Sequence, residues 1–146
     1  MTCTKLLELL PSAVMAVFLA YIAYQQMVIN KRRLNLDLYS KRFSVYTDVV
    51  RFHQELAEEM VSQETHRNFI ASKEASRFLF SKDSSIFELL QLMHTESFKI
   101  IGFKHHAKEL SEASFIEGFA SSQEVFFWWD RQMAELKEKM KPYLDQ

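Results

Sequence analysis

Five histidines, His53, His66, His94, His105 and His106, carry the side chains best suited to bind a metal or move a proton near neutral pH. A helical metal site needs paired spacing, such as H-E-x-x-H or Glu-x-x-His on facing helices, because ligands three or four residues apart share a face. None of the five supplies it. His94 and His105 fall on an apolar face, where a hydrogen-bonded core histidine is the commoner explanation. The single cysteine, Cys3, excludes an internal disulfide framework and a cysteine-based zinc site. The acidic cluster Glu55, Glu58, Glu59 and Glu64 reads as the solvated end of a helix rather than a catalytic pair. No G-x-x-x-x-G-K-[ST] loop or G-x-S-x-G elbow occurs, and the glycines are too few to cradle a phosphate. The chain therefore offers no catalytic residue, no cofactor site and no metal site, and it is not expected to be an enzyme.

The elements that carry these residues are helical. Gly 2 and Pro 2 are too few for a fold of strands and turns, while Phe 13 supplies ample packing material. A net charge of −1 argues against a nucleic-acid partner. The run from Leu9 to Asn30 carries no charge and is closed by Lys31, Arg32 and Arg33. As a helix it spans roughly 33 Å, against a hydrocarbon core of about 30 Å. Its Leu, Ile, Val and Phe residues supply roughly −3 to −5 kcal/mol toward insertion. Residues 9–30 are thus expected to form a transmembrane anchor, with residues 31–146 as the body.

A cleaved signal peptide fits less well, since no A-x-A site is present and the preceding segment holds only Lys5. A lipoprotein fits poorly because Cys3 precedes the apolar run. A buried soluble helix is a third reading, but so long an uncharged run exceeds ordinary core helices. The positive residues after the run, Lys31 to Arg33 and then Lys41, Arg42 and Arg51, put the body in the cytoplasm and the short N-terminus outside. The basic residues would also attract anionic headgroups, so membrane lipids are expected partners.

The first helix should continue directly from the anchor. Its apolar positions Leu36, Tyr39, Phe43, Tyr46, Val50, Ala57 and Met60 lie near a 3.5-residue spacing. Leu38, Val45, Val49, Phe52 and Leu56 widen that stripe, which suits a packed bundle. This helix should end near residues 59–63. A second helix is expected over about Thr65 to Phe80. A third should open at a capping box from Ser85 to Glu88 and end near Leu110, with Phe87, Leu90, His94, Phe98, Ile101 and His105 on one face. A last helix should open at a second box, Ser121 to Glu124, with the seam Val125, Trp129, Met133, Leu136, Met140 and Tyr143. The fold class is all-α: an N-terminal transmembrane helix continuing into a cytoplasmic bundle of three to four helices.

Four consecutive aromatics, Phe126 to Trp129, cover all sides of a helix. If the second segment only crosses over, the loop Ser111 to Ala120 returns to the bilayer. Phe115, Phe119, Trp128 and Trp129 then join Lys31, Arg32 and Arg33 as membrane-interface residues. If that segment runs fully antiparallel, the loop lies far from the membrane and the quartet is core. The first arrangement is expected, because exposed apolar loop residues need a place to be buried.

The segment Asn30 to Phe52 holds Leu36-Asp37-Leu38-Tyr39, Lys41-Arg42-Phe43, Val45-Tyr46 and Phe52. It resembles a motif in a family of small bacterial proteins in which an N-terminal membrane helix precedes the pattern LDLYxKRFxVYxxxxxF. Tyr24-Gln25-Gln26 and Phe78-Leu79-Phe80 are similar to that group as well. The resemblance implies a helical protein of the bacterial inner membrane and transfers no catalytic residue. The function expected is partner binding or self-assembly into a homo-oligomer at that membrane. The rival is a membrane effector, of toxin or phage-defence type, that perturbs the bilayer on oligomerising.

Overall fold

The computed structural model describes residues 3–58 and 60–145, with side chains from residue 11 onward. Glu59 and the side chains of Cys3, Lys5, Leu9 and Leu10 lie outside the described residues. Helix α1 runs Cys3–Ala57, α2 Gln63–Leu79, α3 Ser84–His106 and α4 Glu112–Leu144. No strand occurs among the described residues. The fold is all-α: a long first helix followed by three more that complete a bundle. Two compact units divide within α1, Met1–Leu38 and Tyr39–Gln146.

Among the described residues the first unit is helix alone. With no Gly in it, and Pro11 as its one helix breaker, nothing after Pro11 interrupts α1. Its described side chains are exposed, except the half-buried Val28 and Leu38. Over Pro11–Ala57 the helix is long and apolar enough to cross a membrane, by length and composition. Its most apolar window has a mean hydropathy of 1.6, and none of that window is buried.

The second unit is an antiparallel bundle whose order is fixed by contacts at both ends. Near the start of its α1 segment, Arg42 Nε donates to the Leu79 carbonyl at 3.2 Å and Nη1 to the Tyr143 carbonyl at 3.3 Å. At the Ala57 end, Thr65 Oγ1 donates to Glu55 Oε1 at 2.6 Å, and Lys104 Nζ donates to the Leu56 carbonyl at 2.7 Å and to that of Glu58. Helix α2 therefore runs back along α1, α3 runs forward and α4 back again.

Polar caps set the joints. Ser62 Oγ accepts from Thr65 N, Asp83 Oδ1 from Ser85 N and Ser111 Oγ from Ser114 N, satisfying amides that the helices leave open. Each such cap contributes about 1 kcal/mol. The core joins Val45, Val49, Phe52 and Leu56 of α1 to Phe69 of α2, Ile86, Leu90 and Met93 of α3, and Trp129, Leu136 and Met140 of α4.

The structure corrects five sequence expectations. The second segment is no crossover, because α2 lies antiparallel to α1. The third helix is capped by Asp83, not Ser85, since the aspartate reaches the amide two residues on. The last helix begins at Glu112: Ser121 to Glu124 lies inside α4, where a capping-box pattern cannot start a helix because the chain before it is already helical. The core face of α1 is the set at Val45, Val49, Phe52 and Leu56. The stripe through Tyr39, Phe43, Tyr46 and Val50 flanks it and is exposed to half-buried. Both stripes were apolar, so periodicity alone could not choose between them. The α3 face is likewise turned by one residue, with Ile86, Leu90, Met93, Ser97 and Ile100 buried.

Candidate functional site

In the first unit the exposed apolar run ends in three exposed basic residues, Lys31, Arg32 and Arg33. Near its end Gln25 Nε2 donates to Tyr21 Oη at 2.9 Å, one turn away on the same face. This hydrogen bond satisfies part of a polar side chain that would otherwise be costly in hydrocarbon. The run is apolar along its length, aromatic and hydrogen-bonded near its end, and cationic at its edge.

In the second unit three histidines meet aromatic rings. His66 and His94 approach through their Nε2 atoms at 2.9 Å, so one ring donates and the other must accept through a neutral nitrogen. Phe69 and Phe98 flank His94, with centroids at 5.5 and 5.0 Å. Burial, the Lys73 ammonium and His66 together lower the His94 pKa to about 4. Lys73 itself is 7% exposed. Its ammonium is held by Gln91 Oε1 at 2.8 Å and Glu74 Oε1 at 3.3 Å. Helix α2 thus meets α3 through a polar seam with Phe69 between its two ends.

His53 stacks against Trp129 at 5.7 Å and Phe126 at 5.1 Å. Its Nε2 lies 3.1 Å from Asp130 Oδ1. That approach lacks the alignment of a hydrogen bond, so the contact is a close polar one. Trp129 Nε1 is buried with no hydrogen-bond partner among the described residues. The indole contributes packing and leaves one donor unsatisfied.

A cleft of about 270 Å³ opens at the Ala57 end between Leu56, Val61, His66, Ile101, Lys104 and His105. Its strongest polar groups already have structural duties. Glu55 accepts from Thr65 Oγ1 and from Ser62 N, bonds that hold its pKa below the ordinary carboxylate value, and it thereby clamps the α1–α2 joint. Lys104 donates to carbonyls just past the α1 core, where a cation also offsets the helix dipole. Among the described residues no three His, Cys, Asp or Glu side chains converge as a metal site. His105 and His106 are exposed at the end of α3, and His105 lines the same cleft as His66.

The expected interface residues separate. Trp129 is 0% exposed and belongs to the core, because α4 packs that edge of the quartet onto Phe52 and Phe69. This corrects its reading as an interfacial ring. Trp128 is half-buried, and Phe127 is exposed. Phe115 and Phe119 are exposed on the first turns of α4, beside Phe103 at 5.4 and 6.2 Å. They sit at the Ala57 end of the bundle, opposite the Tyr39 end, as the antiparallel course of α2 requires.

Sequence reasoning missed the joining of His66 to His94 and the burial of Lys73. The signal was present as spacing: His66 and Lys73 are two turns apart on one helix, and Gln91 and His94 one turn apart on the next. Against known proteins, the chain matches no family model, no curated protein and no solved structure.

Proposed function

We propose that this chain is a non-enzymatic, single-pass protein of a bacterial inner membrane, whose helical bundle faces the cytoplasm and acts by binding a protein partner or by self-assembly. The observation that carries the reading is the apolar stretch of α1, which has no burial within the chain and ends in Lys31, Arg32 and Arg33. An exposed apolar helix of that length requires a nonaqueous surround. The basic edge supports a cytoplasmic body by the positive-inside rule and gives anionic headgroups a place to bind. The bacterial placement rests on the resemblance of the Leu36–Phe52 segment. The absence of a role in chemistry is supported by the structural use of Glu55 and Lys104, which tie the α1–α2 joint and the end of α1, and of Lys73, which donates to Gln91.

A fusion test decides the topology. A C-terminal fluorescent reporter should mature in the cytoplasm, and a C-terminal alkaline phosphatase should be inactive. Active phosphatase would overturn the orientation. The rival, a bilayer-perturbing effector, shares the anchor and the assembly. Induced expression with a membrane-potential dye separates the two: a steady potential supports the binding role, and collapse supports the effector.

A further inference from the structure

Within the second unit, α1 carries three faces. Val45, Val49, Phe52 and Leu56 form the buried core face. Lys41, Asp48, Arg51 and Glu55 form a charged face, exposed at Lys41 and Arg51 and bonded to α2 through Asp48 and Glu55. At about 100° per residue, Tyr39, Ser40, Phe43, Tyr46, Thr47, Val50 and Gln54 fall in a single arc of roughly 120° between them. That arc holds no charge. Arg42, which borders it, is drawn off to the Leu79 and Tyr143 carbonyls and lies over the Tyr143 ring at 5.3 Å.

This third face is aromatic, exposed at Tyr39 and Phe43 and half-buried at Tyr46 and Val50. Tyr39 is 40% exposed and Phe43 43%. Their rings stack at 6.0 Å with an interplanar angle of 5°, and Tyr46 continues the row at 6.4 Å from Phe43. The spacing Tyr39, Phe43, Tyr46, Val50 alternates four and three residues, the repeat of a coiled-coil seam.

We propose that this face is where a second copy of the chain docks, helix beside helix and in parallel. The inference rests on the reading of the chain as a membrane-anchored protein that assembles. Copies inserted in one bilayer in one orientation meet in parallel. A parallel pair in register sets each seam residue against its own counterpart, so any charge on the seam would face a like charge. The charged face of α1 would oppose Lys41 to Lys41 and Arg51 to Arg51. The Tyr39–Val50 face imposes no such repulsion, and its neighbours Ser40, Thr47 and Gln54 are neutral. A different protein as partner would not require that neutrality, because opposite charges would serve it better.

Cysteine crosslinking of the full chain in native membranes tests the proposal, in a Cys3→Ser background with Phe43→Cys, Val50→Cys, Lys41→Cys or Arg51→Cys added singly. Seam positions of a parallel pair come within disulfide reach. Mild oxidation should give a band at twice the chain mass for Phe43→Cys and Val50→Cys, several-fold stronger than for Lys41→Cys and Arg51→Cys. Equal crosslinking on both faces, or no dimer at the seam, overturns the proposal. An adduct of another mass at the seam also overturns it, while leaving the broader binding role standing. Light scattering in detergent gives a second readout. Phe43→Glu should shift dimer to monomer with unchanged helical circular dichroism, because Phe43 lies outside the core. A monomeric wild type overturns the proposal.

Discussion

Acid should loosen the bundle through His94. In the folded chain its pKa is lowered to about 4 by burial, by Lys73 and by His66. In the unfolded chain it returns to about 6.5. Between those values the unfolded state binds the proton and the folded state refuses it, so stability falls as pH drops through 6.5 and levels off near 4. The full difference corresponds to about 3 kcal/mol at 1.36 kcal/mol per pH step. The ring keeps some contact with solvent, whose screening reduces this to about 1–2 kcal/mol. Glu55 and Asp83 also have lowered pKa values, through bonds from Thr65 and Ser85 respectively. Their stabilisation is present above the unfolded values and is lost only below about pH 4.5. Urea unfolding of the full chain in mild detergent, followed by tryptophan fluorescence, should show the loss between about pH 7 and pH 5. His94→Gln keeps a hydrogen-bonding side chain and removes the titration, so its stability should be flatter over that range. Equal wild-type stability at the two pH values, or an identical slope in His94→Gln, would refute the reasoning.

Other substitutions have equally definite outcomes. A Cβ at Gly102 meets no atom within 4 Å, whereas one at Gly118 would lie 2.8 Å from Phe103 Cδ2. Gly102→Ala should therefore stabilise the chain by about 0.5–1 kcal/mol in chemical denaturation, and Gly118→Ala should lose that gain to the displaced ring. Trp129→Ala should cost about 3–5 kcal/mol in the same assay, as for other large buried aromatics. Brominated lipids should leave Trp129 fluorescence unquenched in a Trp128→Phe variant, since Trp129 is sealed in the core. Val17→Arg adds about 2.5–3.5 kcal/mol at the helix centre on insertion scales and should leave much of the protein outside the membrane fraction on cell fractionation.

The all-helical class was legible because scarce Gly and Pro leave strands and tight turns few residues to work with. The seam of the last helix is legible at Val125, Trp129, Leu136 and Met140, because beyond the aromatic quartet its neighbours are mostly charged or polar. Along α1 two apolar stripes competed. The larger aromatics at Tyr39, Phe43 and Tyr46 suggested a core that the smaller Val45 and Val49 occupy instead. Caps were ambiguous for a similar reason. Asp83, Ser84 and Ser85 all carry cap-forming oxygens, and only the backbone bend at Asp83 selects among them. The polar seam of His66, Lys73, Gln91 and His94 depends on which helices become neighbours, and local periodicity does not encode that. Its members read singly as surface residues or lone core histidines, although their one- and two-turn spacings were visible.

The central claim is that the apolar part of α1 holds this helical bundle on a membrane. Alkaline carbonate extraction tests it most directly: membranes containing the full wild-type chain are washed, sedimented and probed. The protein should stay in the pellet after a wash that strips peripheral proteins. Recovery of the chain in the supernatant would contradict it.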